Sequence, residues 1–124
     1  MARIVKHNDL NVYKLSFEGG MAIYELTKTF PREEMYSLTD QIRRSSRSVS
    51  GNISEARRKR RYEKAFISKL SDAEGEAGET QTWLEYALAC NYISEDVFSS
   101  LNAKYDQIIG MIVTMINNPK NWTL

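Results

Sequence analysis

The chain has little of what usually carries chemistry or staples a small fold. In 124 residues there is a single cysteine, Cys90, a single histidine, His7, and two prolines. One cysteine excludes a disulfide framework and a cysteine-bound zinc, and fits a reducing cytosol. One histidine with no metal-spaced neighbour leaves no catalytic triad and no Glu-x-x-His pair of the kind that holds two metals inside a helical bundle. Phosphate loops, dinucleotide fingerprints and zinc spacings are missing as well. The longest apolar run, Ile108 to Ile116, has nine residues, whereas a bilayer crossing takes ~20. Met1 to Asn11 holds Arg3, Lys6 and His7 but no apolar stretch of a secretory leader. The sequence therefore predicts a soluble, cytoplasmic protein with no membrane contact, metal, cofactor or enzymatic site.

Side chains that invite a chemical reading have plainer ones. Asp72, Glu74, Glu76 and Glu79 have no histidine to ligate beside them. Asn52 and Glu55 fit hydrogen bonding at a kink, with Glu55 placed to pair with Lys59 four residues on. Cys90 reads as buried filler at the end of a helix.

What the chain does have is helical periodicity. Its 42% apolar and 27% charged residues are ordinary for one globular domain with a core of its own. Apolar and small residues recur at three- and four-residue steps in four segments: Val12, Leu15, Gly19, Ala22, Leu26; then Met35, Leu38, Ile42, Ser45, Val49, Ile53, Ala56; then Phe66, Leu70, Ala73, Ala77, Leu84, Ala87; then Val97, Leu101, Tyr105, Ile108, Ile112, Met115. Such stripes belong to amphipathic helices packed at shallow angles, and no period-two run competes with them. Pro31 ahead of Arg32-Glu33-Glu34 suits a first turn, Ser94 ahead of Glu95-Asp96 suits a cap, and Pro119 closes the last pattern. The expectation is an all-α, up-down-up-down antiparallel four-helix bundle over residues 1–124, with helices at about 10–28, 32–57, 62–91 and 95–118. Glycines at 19, 20, 51, 75, 78 and 110 fall inside these helices. Each costs ~1 kcal/mol against alanine, which close helix contact, or a kink at Gly51, would explain.

Charge is separated along the chain. From Arg43 to Lys64 stand Arg43, Arg44, Arg47, Arg57, Arg58, Lys59, Arg60, Arg61 and Lys64 against Glu55 and Glu63, a balance of +7; from Leu70 to Ala103 the balance is −7, in a chain that sums to +1. The second stripe, continued past Ala56, would bury Arg60 and Glu63, so the chain must turn between about Arg57 and Tyr62. That gathers the basic segment at one pole of the bundle, joined by Arg3, Lys6 and Lys120, with much of the acidic segment toward the other. Five like charges in a row have two readings, a solvated turn or an anion site. Cations at the start of a helix oppose its dipole by ~0.3–1 kcal/mol, a cost without benefit unless they meet an anion, and guanidinium groups beside a helix N-terminus match phosphate. Tyr62 is the one aromatic near the run.

A second feature lies in the fourth helix. Ile109, Met111, Val113 and Ile116 fall largely outside its core stripe. Either this helix is central to the monomer, or those residues form a contact between copies, which in a ring would align the basic poles on one rim.

The elements Phe30-Pro31, Glu33-Glu34, Tyr36, Leu38, Gln41-Ile42-Arg43-Arg44-Ser45, Ser48-Val49 and Asn52-Ile53-Ser54-Glu55, followed by Phe66, Leu70, Ala73, Gly75, Glu79, Leu84 and Ala87, resemble the four-helix bundle family encoded by intervening sequences of bacterial 23S rRNA genes. The resemblance runs from about Leu10 to Met115. It implies a four-helix bundle, often a homopentameric ring with a central channel, and no known enzymatic activity. A related branch comprises accessory proteins of diversity-generating retroelements, basic pentamers that bind a reverse transcriptase and nucleic acid. The chain departs from the family where Ser50-Gly51 stands in place of Pro-Ser, and where Ala56 and five basic residues stand in place of a glycine-containing turn. Arg43 and Arg44 belong to the shared pattern and have Asp40 nearby as a structural partner. Together these features lead to the expectation of a homo-oligomer that binds RNA or single-stranded DNA through its basic pole. The alternatives are a protein-interaction module such as a reverse transcriptase's accessory subunit, and a bundle that assembles basic pole to acidic pole.

Overall fold

A computed structural model describes residues 10–124; Arg3, Lys6 and His7 lie outside them. Four helices account for most of the described chain: α1 (Asn11–Thr27), α2 (Leu38–Arg58), α3 (Glu63–Ala89) and α4 (Glu95–Asn117). Neighbouring packing runs α1–α2, α2–α3, α3–α4 and α4–α1, so α1 and α3 face each other diagonally, as do α2 and α4. This is the expected all-α bundle, and no strand occurs among the described residues. Nor is any helix among them long and apolar enough to cross a membrane.

The ends of the helices follow local chemistry. Ser94 caps α4 by accepting a hydrogen bond from Val97 N at 3.2 Å, with Glu95 and Asp96 in the first turn. α3 ends where Asn91 takes the left-handed conformation, φ 61°, and Tyr92 N reaches back to Ala87 O at 2.9 Å, a closure that suits asparagine next after glycine. Cys90 stands in this end and is exposed, not buried as its spacing suggested. The second helix starts later than expected. Arg32–Glu34 form a separate 3-10 turn after Pro31, and Ser37, at φ −130° and ψ −102°, breaks the path before α2 begins at Leu38. Glu34 stabilises this break. It accepts hydrogen bonds from Ser37 Oγ at 2.6 Å and from Tyr92 Oη at 2.8 Å, tying the α1–α2 connection to the α3–α4 connection. Those bonds lower the Glu34 carboxyl pKa and push the Tyr92 phenol up to about 12.

The stripes of α2, α3 and α4 are buried almost as read: Leu38 to Ala56, Phe66 to Ala87 and Leu101 to Met115, with Met35 and Val97 exposed. In α1 the buried residues are Val12, Ser16, Gly19, Ile23 and Thr27, while Leu15, Ala22 and Leu26 sit at the margin. Polar side chains hold inward positions there because they are satisfied within the helix. Ser16 donates to Tyr13 O at 2.8 Å and Thr27 to Tyr24 O at 3.0 Å.

Close contact explains one glycine strongly. A Cβ on Gly19 would lie 2.8 Å from the Tyr105 hydroxyl, and one on Gly20 would touch Ser46 O at 3.8 Å. A Cβ added at Gly51, Gly75, Gly78 or Gly110 would meet nothing from another helix within 4 Å among the described residues, so close packing there does not account for them. Gly51 marks no break either, since α2 runs through it.

Tyr105 is fully buried, its hydroxyl has no hydrogen-bond partner among the described residues, and burial raises its pKa. An orphaned buried hydroxyl costs about 1–3 kcal/mol, so Tyr105→Phe is expected to match or exceed the wild type in urea denaturation. Gly19→Ala is expected to destabilise by about 1–3 kcal/mol, since the enclosed ring cannot swing aside and overpacking outweighs the helix gain. Tyr105→Phe should recover part of that loss; equal losses in both backgrounds would show that the hydroxyl is not the obstacle.

Candidate nucleic-acid interface

The α2–α3 reversal occupies Lys59 to Tyr62. Lys59 N bonds Glu55 O and Ala56 O, Arg60 N bonds Arg57 O, and Tyr62 N bonds Lys59 O. Lys59 sits at φ −96° and ψ 12°, a conformation open to any residue, and therefore no turn glycine is needed. The C-terminal residues fold onto the same end. Pro119–Asn121 forms a 3-10 turn against α3, and Leu124 N donates to Arg60 O at 3.2 Å. Arg58, Lys59, Arg61 and Lys64 are exposed here; Arg57 and Arg60 are half-buried, with Arg60 Nη1 donating to Arg57 O at 2.9 Å. Arg58, Arg60, Arg61, Tyr62 and Leu124 line a shallow cavity of about 350 Å³. None of Arg58, Lys59, Arg60, Arg61 and Lys64 has a carboxylate within ion-pair distance among the described residues. Lys120 is exposed on the adjoining 3-10 turn.

The other three arginines do not gather at this pole. Arg43 lies fifteen residues before Arg58 on α2, about 22 Å along the axis. Arg44 bridges Glu79 at 2.9 Å and Glu76 at 3.7 Å, with α3 and not Asp40 supplying the partners. Trp83 Nε1 donates to the same Glu79 carboxylate at 3.3 Å. Arg43 Nε donates to Thr27 Oγ1 at 2.8 Å, and the Arg43 and Arg47 guanidinium groups lie 5.0 and 5.6 Å from the Tyr24 ring centre. Glu55 bridges Lys69 at 2.7 Å, leaving Lys59 a lesser influence. That contact lowers the Glu55 carboxyl pKa and raises that of Lys69.

With this geometry in place, the family model described as 23S rRNA-intervening sequence protein matches residues 8–114. The chain belongs to that family. A crystallised protein of unknown function from the S23 ribosomal protein family of Bacteroides thetaiotaomicron VPI-5482 is similar to it, 32% identical over 91% of this chain and 99% of its own, with a TM-score of 0.79. No curated protein matches. In this member of the 23S rRNA-intervening sequence protein family, Ile109, Met111, Val113 and Ile116 are all half-buried; Ile109, Met111 and Ile116 pack on the edge of the core. Sequence reasoning missed Tyr24, which α1 delivers to the α2 arginines. The signal was the stripe Tyr13, Phe17, Gly20, Tyr24, running beside the buried one at the same period.

The Arg44 pairing carries a pH dependence. Burial, then the neighbouring Glu79 charge, raises the Glu76 pKa, and Arg44 opposes this. A raised carboxyl pKa means that ionisation costs stability above it and that the cost disappears on acidification. Arg44→Gln is therefore expected to lose up to about 1 kcal/mol near pH 7, limited by solvent screening, and to recover as pH falls to about 4.5. Thermal melts at the two pH values check this; a loss independent of pH would assign Arg44 a packing role only.

Proposed function

We propose that this chain is a non-enzymatic, cytoplasmic, oligomeric bundle that binds RNA or single-stranded DNA through the cations of its α2–α3 reversal. One observation carries the proposal: Arg58, Lys59, Arg60, Arg61 and Lys64 share one end of the bundle, and none of them has a carboxylate within ion-pair distance among the described residues. Clustered cations repel one another, and the N-terminus of α3 adds a partial positive charge, so the end is built to meet an anion. The family's description names no ligand, and the nucleic-acid reading draws its support from this end. Arg57, Arg43 and Arg47 belong to the same surface in the proposal, whereas Arg44, already paired, serves the bundle.

Filter binding of mixed-sequence RNA over a salt series tests it. Affinity is expected to fall with salt at a log–log slope of about −0.7 per phosphate contact. Replacing Arg58, Lys59 and Arg61, all exposed, by glutamate is expected to abolish binding while the melting curve stays in place. Undiminished binding by that variant would remove this surface from the function.

Assembly is the second part of the proposal, a pentamer on the family pattern. Ile109, Met111, Val113 and Ile116 leave apolar area partly open along α4, more than one subunit's core covers. Val113→Asp is expected to reduce the mass seen by light scattering while helicity persists; an unchanged mass would reject this contact. The same open apolar area favours one alternative, a retroelement accessory subunit that docks a reverse transcriptase. Val113→Asp would then leave the mass alone and lose the enzyme.

A further inference from the structure

Two stripes of charge on α2 are treated differently. Arg44 and Glu55, eleven residues apart, face α3, where Glu76, Glu79 and Lys69 cancel them. Arg43 and Arg47 fall on the side toward α1, beside Tyr24. At ~100° per residue Arg58, eleven residues after Arg47, lies about 20° round from it and about 60° from Arg43. None of the three has a carboxylate partner among the described residues.

Across from this stripe α1 presents aromatic rings. Tyr24 has Lys28 Nζ, Arg43 and Arg47 at 4.8, 5.0 and 5.6 Å from its ring centre. Two turns up, the Tyr13 and Phe17 rings stack with centres 6.1 Å apart at 30°, and Phe17 is 52% exposed. Neither acid of α1 pairs with these arginines: Glu18 bridges Lys104 of α4 at 3.7 Å, and Glu25 bridges Lys28, the third cation at the Tyr24 ring, at 3.2 Å. Fastening α1 to α2 accounts for Arg43, which also bonds Thr27. It does not account for a second guanidinium on the same ring, which has no carboxylate in ion-pair distance among the described residues, or for an exposed phenylalanine in line with it.

We propose that the α1–α2 face is a binding track for single-stranded nucleic acid, in which Arg43 and Arg47, held over Tyr24, clamp phosphates while Phe17 stacks a base. The track rests on the nucleic-acid function proposed above and adds strandedness to it. A duplex hides its base faces, so only an unpaired strand offers a base face to Phe17 and a phosphate to the arginines held over Tyr24, about 10 Å further along α1. Arg58 continues the same stripe to the reversal, where the strand meets the remaining cations.

Fluorescence anisotropy with a labelled unstructured RNA, and with a duplex of equal length, tests the track. The wild type is expected to prefer the single strand. Phe17→Leu, which keeps the surface apolar, should weaken single-strand binding about ten-fold without changing its salt slope or the duplex affinity; Phe17→Trp should retain binding. Arg47→Gln should reduce the slope by about 0.7. Should Phe17→Leu bind as tightly as wild type while the glutamate variant of the reversal does not bind, the track is wrong and the nucleic-acid function stands. Wild-type protein that binds neither strand nor duplex at low salt overturns both. A change in particle mass on Phe17→Leu with RNA affinity intact would make this face a contact between copies and overturn the track.

Discussion

The α2–α3 contact sets the rest of the bundle. Small side chains line it, with Ser45 facing Thr80 in a buried hydrogen bond of 2.8 Å and Ala73 and Ala77 beside them. Whichever hydroxyl donates across, the other accepts and can donate within its own helix, Ser45 to Ile42 O or Thr80 to Glu76 O, so burial leaves neither unsatisfied. Because that pair can meet in only one register, it determines what lies above and below it. Arg44 comes to rest on Glu76 and Glu79, Glu55 on Lys69, and the chain reverses at Lys59 to Tyr62. The position of the basic end is thus a product of core geometry and not of its own charges, which oppose such crowding.

The two ends of the bundle are finished in contrasting ways. At one, Glu34 gathers Ser37 and Tyr92, the Tyr92 ring packs 5.4 Å from Phe30, and Asn91 closes α3. At the other, backbone hydrogen bonds, including Leu124 N to Arg60 O, and the Arg60 guanidinium on Arg57 O hold the turn, while Arg58, Lys59, Arg61 and Lys64 are exposed. A chain of net charge +1 thereby has one end tied by side-chain polar bonds between two connections and another where those four cations stand exposed.

Much of this architecture was legible in the sequence, and the exceptions have physical causes. The core stripes of α2, α3 and α4 could be read because large aliphatic residues mark them. The α1 stripe was misread because Ser16 and Thr27 bond to their own helix and so occupy buried positions that a hydrophobicity pattern assigns to Leu15 and Leu26. The late start of α2 escaped notice because Glu33 and Glu34 look like a first helical turn, whereas Glu34 serves Tyr92, fifty-eight residues away. Pairing was the least legible level. Arg44 and Glu55 had local candidates in Asp40 and Lys59 yet found cross-helix partners, and nothing in the linear order announces Tyr24 beside Arg43 and Arg47.

Because α2 sits diagonally across from α4, Arg43 and Arg47 stand on a helix that does not touch the one with the open apolar flank. Subunits joined through α4 would leave these arginines clear, and rotational symmetry would repeat them in one orientation around the assembly. A polymer engaging one copy would then find the next at high effective concentration. Avidity would follow from the order in which four helices are packed, with no further residues needed to create it.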